Sequence, residues 1–199
     1  MRQGFIFDLD GTLADTMPAH YRAWMVIAAR YGLVFPEDRF YGLGGVPTAK
    51  IAAMLVAESG KDLDPMQVAR EKEQAYADGL DEPGAIRPIP AVIQIARQHR
   101  DSGAGPLAVA SGSVRRLIDR TLLQLGITDW FTAVVSAEDT TRHKPEPDVF
   151  LEAARRIGVP ADACIVYEDT DIGLEAARRA GMRPVDVRAL YPGFKAAGS

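Results

Sequence analysis

The chain has 199 residues, and 23 lysines and arginines against 27 aspartates and glutamates leave a formal charge of −4, a balance that argues against a basic nucleic-acid-binding surface. With 47% hydrophobic and 25% charged residues the composition is that of a folded globular protein, which sets disordered, collagen-like and fibrous classes aside. Apolar stretches such as residues 23–29 fall well short of the roughly 20 residues that cross a bilayer, no leader pattern precedes the first strand, and the single cysteine, Cys164, suits a buried thiol in a reducing compartment; a cytoplasmic monomer without membrane or nucleic-acid partners is expected.

The first expected element is a buried strand over residues 4–9, where Phe5, Ile6 and Phe7 run continuously apolar and Asp10-Gly11 supplies a turn. Helical patterns follow at 19–31, 48–58 and 65–80, separated by Gly/Pro-rich breaks at 42–47 and 82–90. From there strands and helices alternate. Helices are expected at 91–100, 114–125, 149–157 and 172–180, and strands at 107–110, 133–135, 164–167 and 185–187. The alternation predicts right-handed crossovers and an α/β fold, a doubly wound parallel sheet covered on both faces. From Asp10 to Leu107 is close to a hundred residues, whereas a simple βαβ unit takes about 30. Residues 15–85 therefore read as a small inserted helical domain tied to the core by two hinge segments, and 1–14 with 86–199 as the α/β core domain. The tail, residues 192–199, reads as frayed.

In an open parallel sheet the ligand crevice lies beyond the carboxyl ends of the strands. The residues there form one set: Asp8, Asp10 and Thr12 after the first strand, Ser111-Gly112-Ser113 after the second, Lys144 after the third, and Glu168-Asp169 after the fourth. Four carboxylates in one crevice repel unless a divalent cation offsets them, and hard oxygen donors suit Mg²⁺. Given that ion, a carboxylate can attack a phosphoryl group while a lysine ammonium offsets charge on the transferring oxygens. Asp8 is the expected nucleophile. Asp10, two residues on and on the same side of an extended chain, is the expected acid/base. Each piece alone has a plainer reading: a strand-ending turn at Asp8 to Thr12, helix caps at Ser111-Gly112-Ser113 and Glu168-Asp169, and a solvated loop lysine at 144. Order along the chain and placement at strand ends favour the joint reading.

In that order the residues resemble the four motifs of the haloacid dehalogenase superfamily. They are Phe7-Asp8-Leu9-Asp10-Gly11-Thr12-Leu13, Val109-Ala110-Ser111-Gly112-Ser113, Lys144-Pro145-Glu146-Pro147-Asp148-Val149-Phe150 and Tyr167-Glu168-Asp169-Thr170-Asp171-Ile172-Gly173. The resemblance implies a Rossmann-like core in which Asp8 is phosphorylated, Asp10 is the acid/base, and Ser111, Gly112 and Lys144 hold the phosphoryl oxygens. It also implies Mg²⁺ bound by Asp8, the Asp10 carbonyl and Asp169, with Glu168 as a further ligand or a neighbour of the ligands. The second aspartate of the first motif argues against a dehalogenase, and a signalling receiver module carries no helical insert of this size.

The inserted helices resemble the cap of the β-phosphoglucomutase-like subgroup through Asp15-Thr16, His20 and Trp24, with His20 and Trp24 four apart and on one face. The resemblance implies that His20 couples cap closure to the acid/base and that Lys72 reaches the sugar phosphate; a surface histidine and a solvated lysine are the plainer readings. Mutases of the subgroup carry Lys-Gly-x-Ser-Arg in the first cap loop, where this chain has Gly44-Gly45-Val46-Pro47-Thr48. Without that phosphate-gripping arginine, hydrolysis is favoured over transfer. Together with Val185-Asp186-Val187-Arg188 the pattern resembles bacterial fructose-1-phosphate phosphatases of the subgroup, which implies a small phosphorylated sugar as substrate. A β-phosphoglucomutase is the alternative.

Overall fold

The computed structural model describes residues 3–80, 82 and 84–190. In chain order the elements begin with β1 (Gly4–Phe7), β2 (Ala14–Asp15), α1 (Met17–Tyr31), α2 (Glu37–Gly42), α3 (Thr48–Ser59) and α4 (Pro65–Gly79). Next come β3 (Arg87–Pro88), α5 (Pro90–Ser102), β4 (Leu107–Ala110), α6 (Arg115–Gln124) and β5 (Ala133–Val135). The chain continues through α7 (Asp148–Ile157), β6 (Cys164–Glu168), α8 (Asp171–Arg179) and β7 (Arg183–Asp186). It divides into two compact units, one built from residues up to Asp15 and from Arg87 onward, the other from Thr16–Ile86.

The first unit holds a parallel sheet in the order β5-β4-β1-β6-β7, the doubly wound α/β architecture expected from the alternation of elements. Phe5 pairs with Leu107 and Ile165, and Ile6 with Ala108 and Val166, so successive residues face opposite sides. Phe5, Phe7, Val109 and Ile165 pack with Val92 and Ala96 of α5 and Ile118 and Leu122 of α6. On the other face Ile6, Ala108 and Val166 pack with Phe150 and Ala153 of α7 and Ala176 and Ala177 of α8. Burial on both faces is why these strands read as unbroken apolar runs. The chain runs outward from β1 to β4 and β5, then returns to β6 on the opposite side of β1. That reversal between β1 and β6 is where doubly wound sheets bind ligands. Where the chain leaves and re-enters this unit, β2 and β3 pair antiparallel, Ala14 with Pro88 and Asp15 with Arg87.

The second unit has its own core of Trp24, Ile27, Phe35, Phe40, Ile51, Leu55 and Val68. Trp24 meets Phe35 edge to face at 5.4 Å, and Phe35 meets Phe40 at 5.9 Å. Asp64 starts α4 by accepting from the Met66 amide at 2.8 Å, with Pro65 in the first turn.

Three expectations need correction, the first being that the opening strand ends at Phe7 rather than at residue 9. The last strand is Arg183–Asp186 rather than 185–187, and Val187–Leu190 forms a 3₁₀ turn. Pro184 breaks the apolar run yet is tolerated because β7 lies at the sheet edge. The short helix α2 occupies a stretch without a helical expectation; its six residues are too few to show a periodicity. The tail expected to fray lies outside the described residues. Among the described residues no helix is long and apolar enough to cross a membrane.

Candidate active site

Asp8 leaves the end of β1 buried, its amide donating to the Tyr167 carbonyl at 3.0 Å as if the strand continued. Lys144, also buried, donates from Nζ to Asp8 Oδ1 and to Glu168 Oε2, both at 2.6 Å. It is not the solvated loop lysine of the plainer reading. Glu168 Oε1 accepts from the Asp169 amide at 3.1 Å and from the Thr170 amide and hydroxyl at 2.9 and 2.7 Å, so one carboxylate organises the loop after β6. Thr12 Oγ1 donates to Asp169 Oδ1 at 2.9 Å. Asp8, Glu168 and Asp169 each offer an oxygen, and the three oxygens lie within 4.8 Å of one another.

These carboxylates share too little charge compensation. Burial first, then the negative charges of Glu168 and Asp10, push the Asp8 carboxyl up to about 8 against the pull of Lys144. Asp169 is raised well above its ordinary value by burial and by Glu168 and Asp8. Burial would lower the Lys144 ammonium, but Asp8 and Glu168 reverse that and hold it above the ordinary lysine value. A buried group of hard oxygen donors that resists carrying its full negative charge fits a small divalent cation.

Asp10 turns to the loop after β4. Ser113 Oγ donates to Asp10 Oδ2 at 2.7 Å and Ser111 Oγ at 3.4 Å. Ser111 is buried, whereas Gly112 beside it is exposed. The two serines do not cap α6, contrary to the plainer reading. Ser111 Oγ instead accepts from the Ser113 amide at 3.0 Å, and Glu138 Oε2 accepts from the Arg115 amide at 2.7 Å in the first turn. Likewise Thr170, not Glu168 or Asp169, caps α8 by accepting from the Gly173 amide.

Two glycines explain themselves by close approach. At Gly11, whose φ of +87° an L side chain rarely adopts, a Cβ would lie 2.3 Å from Asp169 Oδ2. At Gly173 it would lie 2.1 Å from Glu168 Cδ. Thr12, Ser113, Thr170 and Gly173 all fall inside the motifs quoted above, yet hydroxyl and glycine side chains carry no signal that separates a site role from a turn or cap.

In the helical unit Lys72 is buried on α4, contrary to a solvated lysine. Its Nζ lies 2.8 Å from His20 Nδ1, 3.2 Å from Glu73 Oε1 and 3.4 Å from Thr48 Oγ1. The Thr48 hydroxyl donates to the same Glu73 oxygen. His20 stacks on Tyr76 at 3.7 Å. Burial would raise the Glu73 carboxyl, but Lys72, His20 and the Thr48 bond hold it below its ordinary value. Sequence reasoning singled out His20, Thr48 and Lys72 but missed Glu73, because a glutamate beside a helical lysine reads as surface.

A family model described as haloacid dehalogenase-like hydrolase matches residues 5–187. The chain is 42% identical over 187 residues to the fructose-1-phosphate phosphatase YqaB of Escherichia coli K12, covering 94% of this chain and 97% of the relative. It is 36% identical over 188 residues to an uncharacterized protein of Haemophilus influenzae, covering 94% of this chain and 91% of the relative. Among solved structures it is similar to a β-phosphoglucomutase from Clostridium difficile, with a TM-score of 0.82 at 26% identity over 94% of this chain and 84% of that one.

Proposed function

The chain belongs to the haloacid dehalogenase-like hydrolases as a phosphatase enzyme, and we propose that it hydrolyses a small sugar monophosphate, with fructose 1-phosphate as the model substrate, through an aspartyl phosphate on Asp8. The observation that carries the chemistry is one buried ammonium, Lys144, shared at 2.6 Å by Asp8 and Glu168 beside Asp169. The substrate class is supported by the printed activity of the relative at 42% identity.

On this reading an Asp8 carboxylate oxygen bonds to phosphorus while the bond from phosphorus to the sugar oxygen breaks. Asp10 gives that leaving oxygen a proton. Asp10 then takes a proton from a water molecule that bonds to phosphorus, the acyl phosphate bond breaks, inorganic phosphate leaves and the Asp8 carboxylate returns. Lys144, the Ser111 hydroxyl and the Gly112 amide hold the phosphoryl oxygens. Asp8, Asp169 and the Asp10 carbonyl would hold Mg²⁺. Both oxygens of Glu168 are already engaged, by Lys144 and by the loop amides, which suits a place beside the ligands. When bound, the ion supplies positive charge that offsets the carboxylates and the transferring phosphoryl oxygens.

We assign sugar recognition to His20 and Lys72 of the helical unit, residues 15–85 acting as a cap on a core of 1–14 and 86–199, in a monomeric cytoplasmic enzyme. A β-phosphoglucomutase is the second reading, favoured by the structural likeness at a TM-score of 0.82. Phosphate release measured across a panel of phosphorylated sugars, with Mg²⁺ and with chelator, tests the proposal. Metal-dependent release from hexose or ketose monophosphates is expected, and no release from any sugar monophosphate would overturn it.

A further inference from the structure

A carboxylate that must first give a proton and then take one needs a fixed orientation, because small misplacements of a reacting group are costly in rate. The backbone of Asp10 is fixed by its bridge to Ala14 and by the Gly11 amide, which donates to the Ala14 carbonyl at 2.8 Å. The plane of its carboxylate is set separately, by the hydrogen bonds its oxygens accept.

We infer that Ser113 is a positioning residue for Asp10, setting the plane of its carboxylate through the Oγ to Oδ2 hydrogen bond; this rests on the phosphatase reading of the same site. At 2.7 Å this is the short contact, whereas the Ser111 hydroxyl reaches the same oxygen at 3.4 Å, near the limit of a hydrogen bond. Ser113 is itself held on both sides. Its amide donates to Ser111 Oγ at 3.0 Å, its carbonyl accepts from the Ala137 amide at 3.0 Å, and the Ser111 amide donates to the Val135 carbonyl at 3.0 Å. The hydroxyl is thus presented from a loop tied to the end of β5, independent of any turn it might close for itself. Its donation to a carboxylate is a charge-assisted bond, strong enough to select one rotamer.

The experiment compares the parent chain, Ser113→Ala and Ser113→Thr on two substrates: the best sugar monophosphate of the panel and p-nitrophenyl phosphate. The sugar leaves as an alkoxide that needs a proton, whereas p-nitrophenolate leaves without one. The ratio kcat/KM covers the steps up to departure of the leaving group, so it includes the proton donation and excludes the later proton uptake from water, and the p-nitrophenyl phosphate comparison separates donation from binding and attack. Ser113→Ala is expected to lower kcat/KM for the sugar phosphate about tenfold while leaving p-nitrophenyl phosphate within about twofold, and Ser113→Thr to restore the sugar phosphate rate. Equal losses on both substrates, or none on either, would overturn the inference while leaving the phosphatase reading intact. A parent chain that releases phosphate from neither substrate would overturn the phosphatase reading first, and the inference with it.

Discussion

Asp8 and Lys144 have to be considered as a pair, since each is buried and each is the other's charge partner at 2.6 Å. Asp8→Asn keeps the shape and a polar group but removes the proposed nucleophile. Turnover is expected to fall by on the order of 10⁴-fold or more, with an unchanged far-ultraviolet circular dichroism spectrum; a variant with parental rates would overturn the assignment of Asp8. Lys144→Met leaves Asp8 and Glu168 without their shared cation. Breaking a buried ion pair costs about 3–5 kcal/mol, so the urea midpoint of the metal-free protein should fall by a corresponding amount, and an unchanged midpoint would show that the carboxylates do not depend on Lys144. The carboxylates and the lysine were legible in the sequence through their order and their place beyond successive strand ends, since each piece alone, Lys144 in the loop after Val135 above all, has a plainer reading. Glu73 was not, nor was the role of Ser113 within the strand-end set, since each role depends on a neighbour that only packing supplies: Lys72 and Thr48 for the one, Asp10 for the other.

Elements hold these residues in place, and Gly173 in α8 approaches the site more closely than Gly11 does. An added Cβ would meet Glu168 Cδ at 2.1 Å, and Glu168 has no slack because Lys144 and the Asp169 and Thr170 amides hold both its oxygens. Gly173→Ala is therefore expected to displace the Glu168 carboxylate and lower kcat/KM by about tenfold or more, measured beside the parent; a neutral variant would mean that Glu168 relocates freely. A second consequence sits on α5, where His99 stacks on Phe5 of β1 at 3.6 Å and shares a 2.8 Å hydrogen bond with the Tyr167 hydroxyl. Burial lowers the His99 imidazole below the ordinary 6.5. The unfolded chain then takes up a proton that the folded chain resists, so this contribution to stability is present above pH 6.5 and is lost as pH falls below it. Tm should drop between pH 7.5 and 5.5, and drop less in His99→Gln; equal drops in both would remove His99 as the cause. At this scale the sequence was most readable where strands are buried on both faces, as at Leu107–Ala110, and least where one proline interrupts an edge strand, as at Pro184.

For the molecule as a whole the open choice is between giving a phosphoryl group to water and returning it to the sugar. A mutase must keep a doubly phosphorylated sugar through its reorientation, which requires a cationic grip in the helical unit for the phosphate that is not being transferred. Where the mutases of the subgroup place arginine this chain has Thr48, and its hydroxyl is spent on Glu73. Lys72 remains, but its ammonium lies 3.2 Å from the same Glu73 carboxylate, which offsets the charge a second phosphate would need. A lone lysine is in any case a point charge without the two-pronged geometry by which arginine holds a phosphate. On the proposed reading the combination should weaken retention of a bisphosphate far more than it weakens attack by water, a small nucleophile that needs no cationic grip. Phosphorus NMR of one reaction supplied with β-glucose 1-phosphate and a bisphosphate primer follows both outcomes at once. Free phosphate should accumulate with little glucose 6-phosphate, and replacing Glu73 by glutamine should slow the loss of bisphosphate by removing the negative charge beside Lys72. Efficient isomerisation with little free phosphate would make the chain a mutase and show that another group in the helical unit does the work of the missing arginine.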